Sequence, residues 1–279
     1  MGMSINTNLS ALNTYRNLNS TQNDLSKSLE KLSSGLRINR AADDAAGLSI
    51  SEGLKSQVGG LTVAARNAQD GISVVQTAEG GLTETHSILQ RMRDLAVQAG
   101  NDSNNEDSRT AITTEVGELS KELTRISQST NFNGINLLDG SAGTDGVLKF
   151  QVGANGDAAS QIDVDLSKAN VSDVADAVGA LTFDSADNAQ AAITEIDKQI
   201  KYVSSARSNI GAIQNRFDHA INVTNVAKEN LTAASSRITD VDMAEEMVKY
   251  TRDNILSQAG TSMLAQANQS TQNVLSLLR

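Results

Sequence analysis

Apolar residues in the first forty positions fall on a helical stripe. Leu18, Leu25 and Leu32 recur every seven residues, Leu29 and Leu36 sit four beyond the last two, and Ile5, Leu9 and Leu12 keep a 4-3 spacing upstream. Asn, Ser, Thr, Gln, Lys and Asp fill the other faces, so the pattern predicts an amphipathic helix with a narrow apolar seam. From "GLSISEGLKSQ" to "LAVQAGN" the repeat is more regular: Leu54, Leu61, Ala68, Val75, Leu82, Leu89 and Ala96 lie seven apart, with Val58, Ala65 and Ile72 at alternate positions. A heptad sustained that long predicts a coiled-coil-like helix. Gly59, Gly60, Gly71, Gly80 and Gly81 interrupt it; each weakens a helix by roughly 1 kcal/mol, and a close approach by a neighbouring helix is the plain structural reading.

"GNDSNNED" is a polar break. A shorter helix is predicted over about 106–128, with Ile112, Val116, Leu119, Leu123 and Ile126 on one face and Asp107 or Ser108 as its cap. The period then changes. "NFNGINLLDGSAGTDG" is turn-rich, while "VLKFQVG" and "QIDVDLS" alternate apolar and polar residues around "ANGDAAS" and predict a β-hairpin. A short helix is read around "VSDVADAVGAL". After that the heptad returns: Ile196, Val203, Ile210, Phe217, Thr224, Leu231 and Ile238 lie seven apart, and Val241, Val248 and Ile255 continue the period after a three-residue step. Leu264, Ala267, Val274 and Leu278 carry an apolar stripe onward. One helix from 186 to 279 would span roughly 140 Å; a break is expected near "SSRITD", with Asp240 capping the new start.

The layout is mirrored, with long seamed helices at both ends and a small β element between. The expected fold is mainly α: a long coiled-coil-like bundle of both chain ends, antiparallel or parallel, with a small central β-hairpin region. Domains are expected at 1–43 plus 238–279, a terminal coiled-coil domain, and at 44–237, a helical rod holding the β-hairpin at about 131–170.

Composition sharpens this picture. Only 3% of residues are aromatic against 39% hydrophobic, so Ala, Leu, Ile and Val must do the packing. That suits long helices meeting along narrow seams better than a globule built on large aromatic cores. Proline is absent, so no helix is forced to stop. Cysteine is absent, which removes disulfides, thiolate chemistry and Cys-based metal sites. A net charge of -10 argues against nucleic acid. No apolar run is long enough for a transmembrane helix, and "MGMSINTNLSALNTYRNL" is not a cleavable secretory signal.

Against that soluble background, "STQNVLSLLR" is an unusually apolar terminus. Two helices of this length bury little area between them, while ordering each residue costs about 1–2 kcal/mol, and isolated helices are marginal in water. The terminal pair is therefore expected to order when packed against the same segments of neighbouring copies. Identical subunits meeting through unlike surfaces make an open helical polymer.

The residues themselves resemble bacterial flagellin. The similarity lies in "SINTNLSALNTYRNLN", "LSKSLEKLSSGLRINRAADDAAGLSIS", "LQRMRDLAVQAGN", "STNFNGINLLDG", "LKFQVGAN", "SRITDVDMAEEMVKY" and "QAGTSMLAQANQSTQNVLSLLR", covering nearly all of 1–155 and 186–279. The resemblance implies a subunit that self-assembles into the flagellar filament for swimming motility. It also implies core domains with outer domains absent or minimal, since only 156–185 is left for an insert. Partners implied are other copies of the chain, a flagellar export chaperone, the filament cap and hook-junction proteins. The implied location is the extracellular flagellum, reached by the flagellar type III route with an uncleaved N-terminus. Thr271 stands where many relatives carry Pro. A hook–filament junction protein and a secreted ligand of an innate immune receptor are the alternative readings.

Three surfaces follow from the resemblance. Leu18, Leu25, Leu32, Val248, Ile255, Val274 and Leu278 are the subunit-packing residues; an ordinary intramolecular core is the competing reading. In "SGLRINRAADDAAGLSIS", Arg37, Arg40, Asp43 and Asp44 could ion-pair within or between subunits, or form a solvated cluster. In "LQRMRDLAVQ", Leu89, Gln90, Arg91, Leu95 and Gln98, with Ile112 and Glu115 on the facing helix, match the stretch that a Toll-like receptor binds in some flagellins. Asp94 replaces the usual Glu there, and Leu119 stands where recognised relatives have Arg. Packing between subunits is the competing role. No catalytic constellation, cofactor motif or metal set is read: His86 and His219 each stand alone, and zinc needs three or four ligands. An enzyme is not expected.

Overall fold

The structure is a computed structural model that describes residues 8–277, with side chains through 269. Six helices dominate: α1 (Leu9–Ser34), α2 (Ala45–Ala99), α3 (Glu106–Ser129), α4 (Val171–Gly179), α5 (Ala186–Thr239) and α6 (Met243–Leu277). Two small antiparallel ribbons lie between α3 and α4: β1 (Asn131–Phe132) with β2 (Ile135–Asn136), and β3 (Val147–Gln151) with β4 (Gln161–Asp165). The chain divides into two units. One is Gln57–Glu229; the other is the described part of Met1–Ser56 and Asn230–Arg279. α2 and α5 contribute residues to both.

In the 57–229 unit the predicted heptads are the core. Ala68, Val75, Leu82, Leu89 and Ala96 of α2, Ile112, Val116, Leu123 and Ile126 of α3, and Ile196, Val203, Ile210 and Phe217 of α5 are all buried in one cluster. A second buried row on α2 runs through Ala78, Thr85, Met92 and Ala99. Val58, Ala65 and Ile72, the alternates expected from the sequence, are only half-buried. The second row escaped the pattern because Ala and Thr give little apolar signal. A Cβ on Gly71 would lie 2.6 Å from Cζ of Phe217, and one on Gly81 would lie 2.6 Å from Leu138 Cδ1, so these two glycines permit close approach. Gly59 and Gly80 face open space and need another reason.

The β3–β4 hairpin pairs Val147 with Asp165 and Gln151 with Gln161. Ile162 and Val164 point into the core while Gln161, Asp163 and Asp165 face out, the alternation the sequence predicted. Phe150 meets Phe217 edge to face at 5.6 Å, a favourable aromatic geometry. The β1–β2 ribbon was read only as turn-rich. Its Asn133–Gly134 corner takes positive φ at both residues (50° and 79°), the tight turn that Asn-Gly favours.

Helix starts follow capping rules with two corrections. α3 is capped by Asn105, whose Oδ1 accepts the Ser108 N–H at 2.8 Å, rather than by Asp107 or Ser108. The break near "SSRITD" is real, but α6 is capped by Asp242, which accepts the Ala244 N–H at 2.9 Å. Asp240 instead accepts from the Ser236 and Thr239 hydroxyls at the end of α5. α4 confirms the short helix: Asn170 caps it by accepting the Ser172 N–H at 3.0 Å, and Val171, Val174, Ala175 and Val178 are buried.

Candidate assembly surface

The unit built from the chain ends is an antiparallel pair, α1 against α6. Asn8 Nδ2 donates to the Ala267 carbonyl at 3.0 Å, Gly260 lies beneath Leu18, and Ser28 Oγ donates to the Glu246 carboxylate at 2.6 Å. On α1 the inward face is Ala11, Thr14, Leu18, Thr21, Leu25, Ser28 and Leu32, a 3-4 repeat that alternates apolar residues with hydroxyls. On α6 it is Glu246, Tyr250, Asp253, Ser257, Gly260, Leu264 and Ala267. This seam is thin. Among the described residues, only Leu18 and Ser28 of α1 and Glu246 of α6 are buried, and two of those three are polar.

The five expected packing residues whose side chains are described are therefore divided between two faces. Leu18, Leu25 and Leu32 sit on the intramolecular seam. Val248 and Ile255 point away from it, 60% and 61% exposed. With Met247, Thr251, Arg252 and Leu256 they line an open apolar groove of about 480 Å³ on α6. Leu9, Leu12 and Leu29 were placed on the α1 stripe, but they are exposed too, as is Tyr15. Leu9 and Leu12, three residues apart, both lie on α1 but outside the seam. Ile5 and Leu278, and the side chain of Val274, lie outside the described residues. Apolar residues thus lie on more than one face of α6 instead of lining one stripe, interleaved with the exposed Glu245, Lys249 and Arg252.

The junction between α1 and α2 is stitched to the α5–α6 break. Gly35 ends α1 with φ of 72°, a left-handed cap that favours glycine. Its carbonyl accepts the Val241 N–H at 3.1 Å, the Arg37 N–H donates to the Thr239 carbonyl at 2.6 Å, and Leu36 and Asp240 form a β-bridge. The Arg37 guanidinium donates to the Ile238 carbonyl at 2.7 Å and reaches Asp44 at 3.4 Å. A cation there also answers the unsatisfied carbonyls at the C-terminus of α5. The other charges act locally. Arg40 pairs with Glu30 at 2.9 Å, and that hydrogen bond raises its pKa. The Arg40 and Asn39 N–H groups hold the Asp43 carboxyl below its ordinary range. Asp44 Oδ1 accepts the Gly47 N–H at 2.8 Å at the start of α2.

The receptor-type residues separate by burial. Leu89, Leu95 and Ile112 are 0%, 2% and 5% exposed and belong to the core. Gln90, Arg91, Gln98 and Glu115 are exposed, and Arg91 pairs with Glu115 at 2.7 Å. Apolar periodicity selects inward residues, so it cannot by itself outline an outer contact face. His86 Nε2 meets the Gln90 amide at 3.0 Å, and His219 is exposed. Among the described residues no His, Cys, Asp and Glu group could hold a metal ion, and no helix is long and apolar enough to cross a membrane. The sequence reading missed the buried Ser28–Glu246 contact, because a charged residue on a seam carries no apolar signal. It also missed Met247, Leu256 and Met263, which complete the exposed apolar surface.

Known proteins bear on this geometry. The profile of the bacterial flagellin N-terminal helical region matches residues 5–143, and that of the bacterial flagellin C-terminal helical region matches 193–278. The chain is 53% identical to the flagellin of Halalkalibacterium halodurans, over 99% of this chain and all of that protein. It is 47% identical to the flagellar filament 33 kDa core protein of Treponema phagedenis, again over 99% of this chain and all of that one. A putative flagellar hook-associated protein from Vibrio parahaemolyticus is similar in fold, with a TM-score of 0.56 at 15% identity, covering 71% of this chain and all of that one.

Proposed function

The chain belongs to the bacterial flagellin family, and from that premise we propose how it assembles. It is a structural subunit of the flagellar filament, not an enzyme, and its function is to polymerise with copies of itself. In our reading the outward apolar face of α6, with Val248 and Ile255 at its centre, packs against neighbouring copies. Leu18, Leu25 and Leu32 hold α1 to α6. The observation that carries this is the arrangement of α6: its inward face mixes Glu246, Asp253, Ser257 and Gly260 with Tyr250, Leu264 and Ala267, while Met247, Val248, Ile255, Leu256 and Met263 lie exposed outside it. Full burial of each such residue is worth about 1.5–3 kcal/mol, a gain one chain leaves unused.

The same reading ties folding to assembly. The α1–α6 pair orders when neighbouring copies cover it, so that polymerisation supplies the burial the thin seam lacks. We extend it to the domain division, with a terminal coiled-coil domain of 1–43 and 238–279 on a rod of 44–237. It extends also to an export chaperone, the filament cap and hook-junction proteins as partners, and to export by the flagellar type III route. The junction-protein alternative is less favoured, since the hook-associated likeness is one of fold at 15% identity. The receptor-ligand alternative retains only the exposed Gln90, Arg91, Gln98 and Glu115.

Circular dichroism and sedimentation of purified monomer, before and after seeding with filament fragments, test the proposal. Helix content is expected to rise as filaments form, and Ile255→Asp is expected to cut seeded polymerisation at least about tenfold while shifting monomer stability by about 0.5 kcal/mol or less. A fully helical monomer that never sediments, or an Ile255→Asp chain that polymerises normally, would overturn it.

A further inference from the structure

The described residues include four methionines, and their environments differ sharply. Met92 is fully buried in the core of the 57–229 unit. Met243, Met247 and Met263 all lie on α6 and are 48%, 52% and 59% exposed. Met247 lines the apolar groove beside Val248 and Ile255. With cysteine absent, the thioethers are the soft, two-electron-oxidisable sulfurs of this chain.

We propose that Met243, Met247 and Met263 are an oxidation site that controls whether a subunit can join the polymer. This rests on the reading that the outer face of α6 is covered on assembly. The chemistry needs one external oxidant, hydrogen peroxide. A sulfur lone pair attacks one peroxide oxygen, the O–O bond breaks, and the thioether becomes a sulfoxide. The displaced oxygen leaves as water after proton transfer. Sulfur loses two electrons and the peroxide gains them. The product is polar and chiral where the thioether was apolar and adaptable. On an exposed monomer face the sulfoxide is solvated and costs little. On a packed face it must be desolvated without a partner. Oxidation therefore penalises the assembled state and leaves the monomer fold alone. Incorporation in turn shields the sulfurs, so the subunit in transit is the vulnerable form.

The test uses the full chain and hydrogen peroxide as the probe. Monomer is oxidised to partial conversion and seeded with filament fragments, and pellet and supernatant are compared by peptide mass spectrometry. Sulfoxide at the three α6 positions is expected to be enriched at least about tenfold in the supernatant, with Met92 unmodified in both fractions. Methionine sulfoxide reductase is expected to return the supernatant chains to the polymer, and intact filaments are expected to resist modification at the same three positions. Equal sulfoxide in pellet and supernatant at these positions would overturn the inference while leaving the assembly reading intact. So would an assembly block that tracks sulfoxide at Met92. If untreated chains do not polymerise on seeds, the assembly reading falls and takes this one with it.

Discussion

Phe217 on α5 and Ile255 on α6 are both large apolar residues at heptad positions of long helices, yet one is fully buried and the other is 61% exposed. The difference lies in what surrounds each helix. In the 57–229 unit, α2, α3, α4 and the β3–β4 hairpin contribute to one continuous core, so α5 buries its stripe within the chain. In the terminal unit α6 has α1 as its long helical neighbour, and their shared seam is built from Leu18, Ser28, Gly260 and Glu246. The 57–229 unit buries its apolar stripes within the chain. The terminal unit leaves part of its apolar surface exposed, and in the assembly we propose that is the part another copy covers.

The contrast can be broken most sharply at Phe217. Truncation to Ala removes the ring under Gly71 and its edge contact with Phe150, and is expected to cost about 3–5 kcal/mol of monomer stability, read by urea denaturation followed through the 57–229 unit. A loss much below that would mean the rod core is not self-sufficient.

A smaller effect is expected at the terminal seam. Ser28→Ala removes the hydroxyl that donates to Glu246 and leaves a carboxylate that is only 5% exposed without its close donor. Lys249, 3.8 Å from that carboxylate, remains the nearby cation. The expected cost is about 1–3 kcal/mol, confined to α1 and α6 and visible as faster amide hydrogen exchange in those helices of the polymerised chain. Spread of the effect into α3 or α5 would blur the division.

The smallest effect belongs to the junction. Asp43 has its pKa lowered from 3.8 by the Arg40 and Asn39 N–H groups. A carboxyl depressed on folding contributes stability that is complete above its unfolded value and is lost as pH falls through the lower folded value. The Asn39 and Arg40 amides should therefore lose protection from hydrogen exchange as pH drops below the ordinary Asp range. Asp43→Asn should remove that acid-dependent step. An unchanged acid profile in the variant would assign the loss to other carboxylates.

Much of the fold was legible because it rests on local periodicity. The heptads of α2 and α5, the face of α3, the alternating β3 and β4, and the break after α5 can all be read from residue spacing alone. Residues of weak character were harder to read. Ala78, Thr85 and Ala99 form a buried row without a strong apolar signal, and the caps moved, from Asp107 or Ser108 to Asn105 at α3 and from Asp240 to Asp242 at α6, because Asn, Asp and Ser near a helix start compete for the same amide groups. The candidate site was half legible: Val248 and Ile255 could be identified, but not Met247, Leu256 and Met263, nor the helix face on which each would lie.

What the sequence determined by itself is the set of elements, the mainly helical class, the family, and the presence of more apolar surface at the chain ends than two helices can hide. These follow from spacing and composition, which are properties of neighbours along the chain. What only the tertiary structure decided is which apolar residues are spent inside the subunit and which remain available. Leu18 and Val248 look alike in a heptad, but one faces a partner helix and the other faces away, and that choice is set by the antiparallel register that Ser28, Glu246, Asn8 and Gly260 hold. Register joins residues far apart in sequence through contact geometry, and no local pattern encodes it.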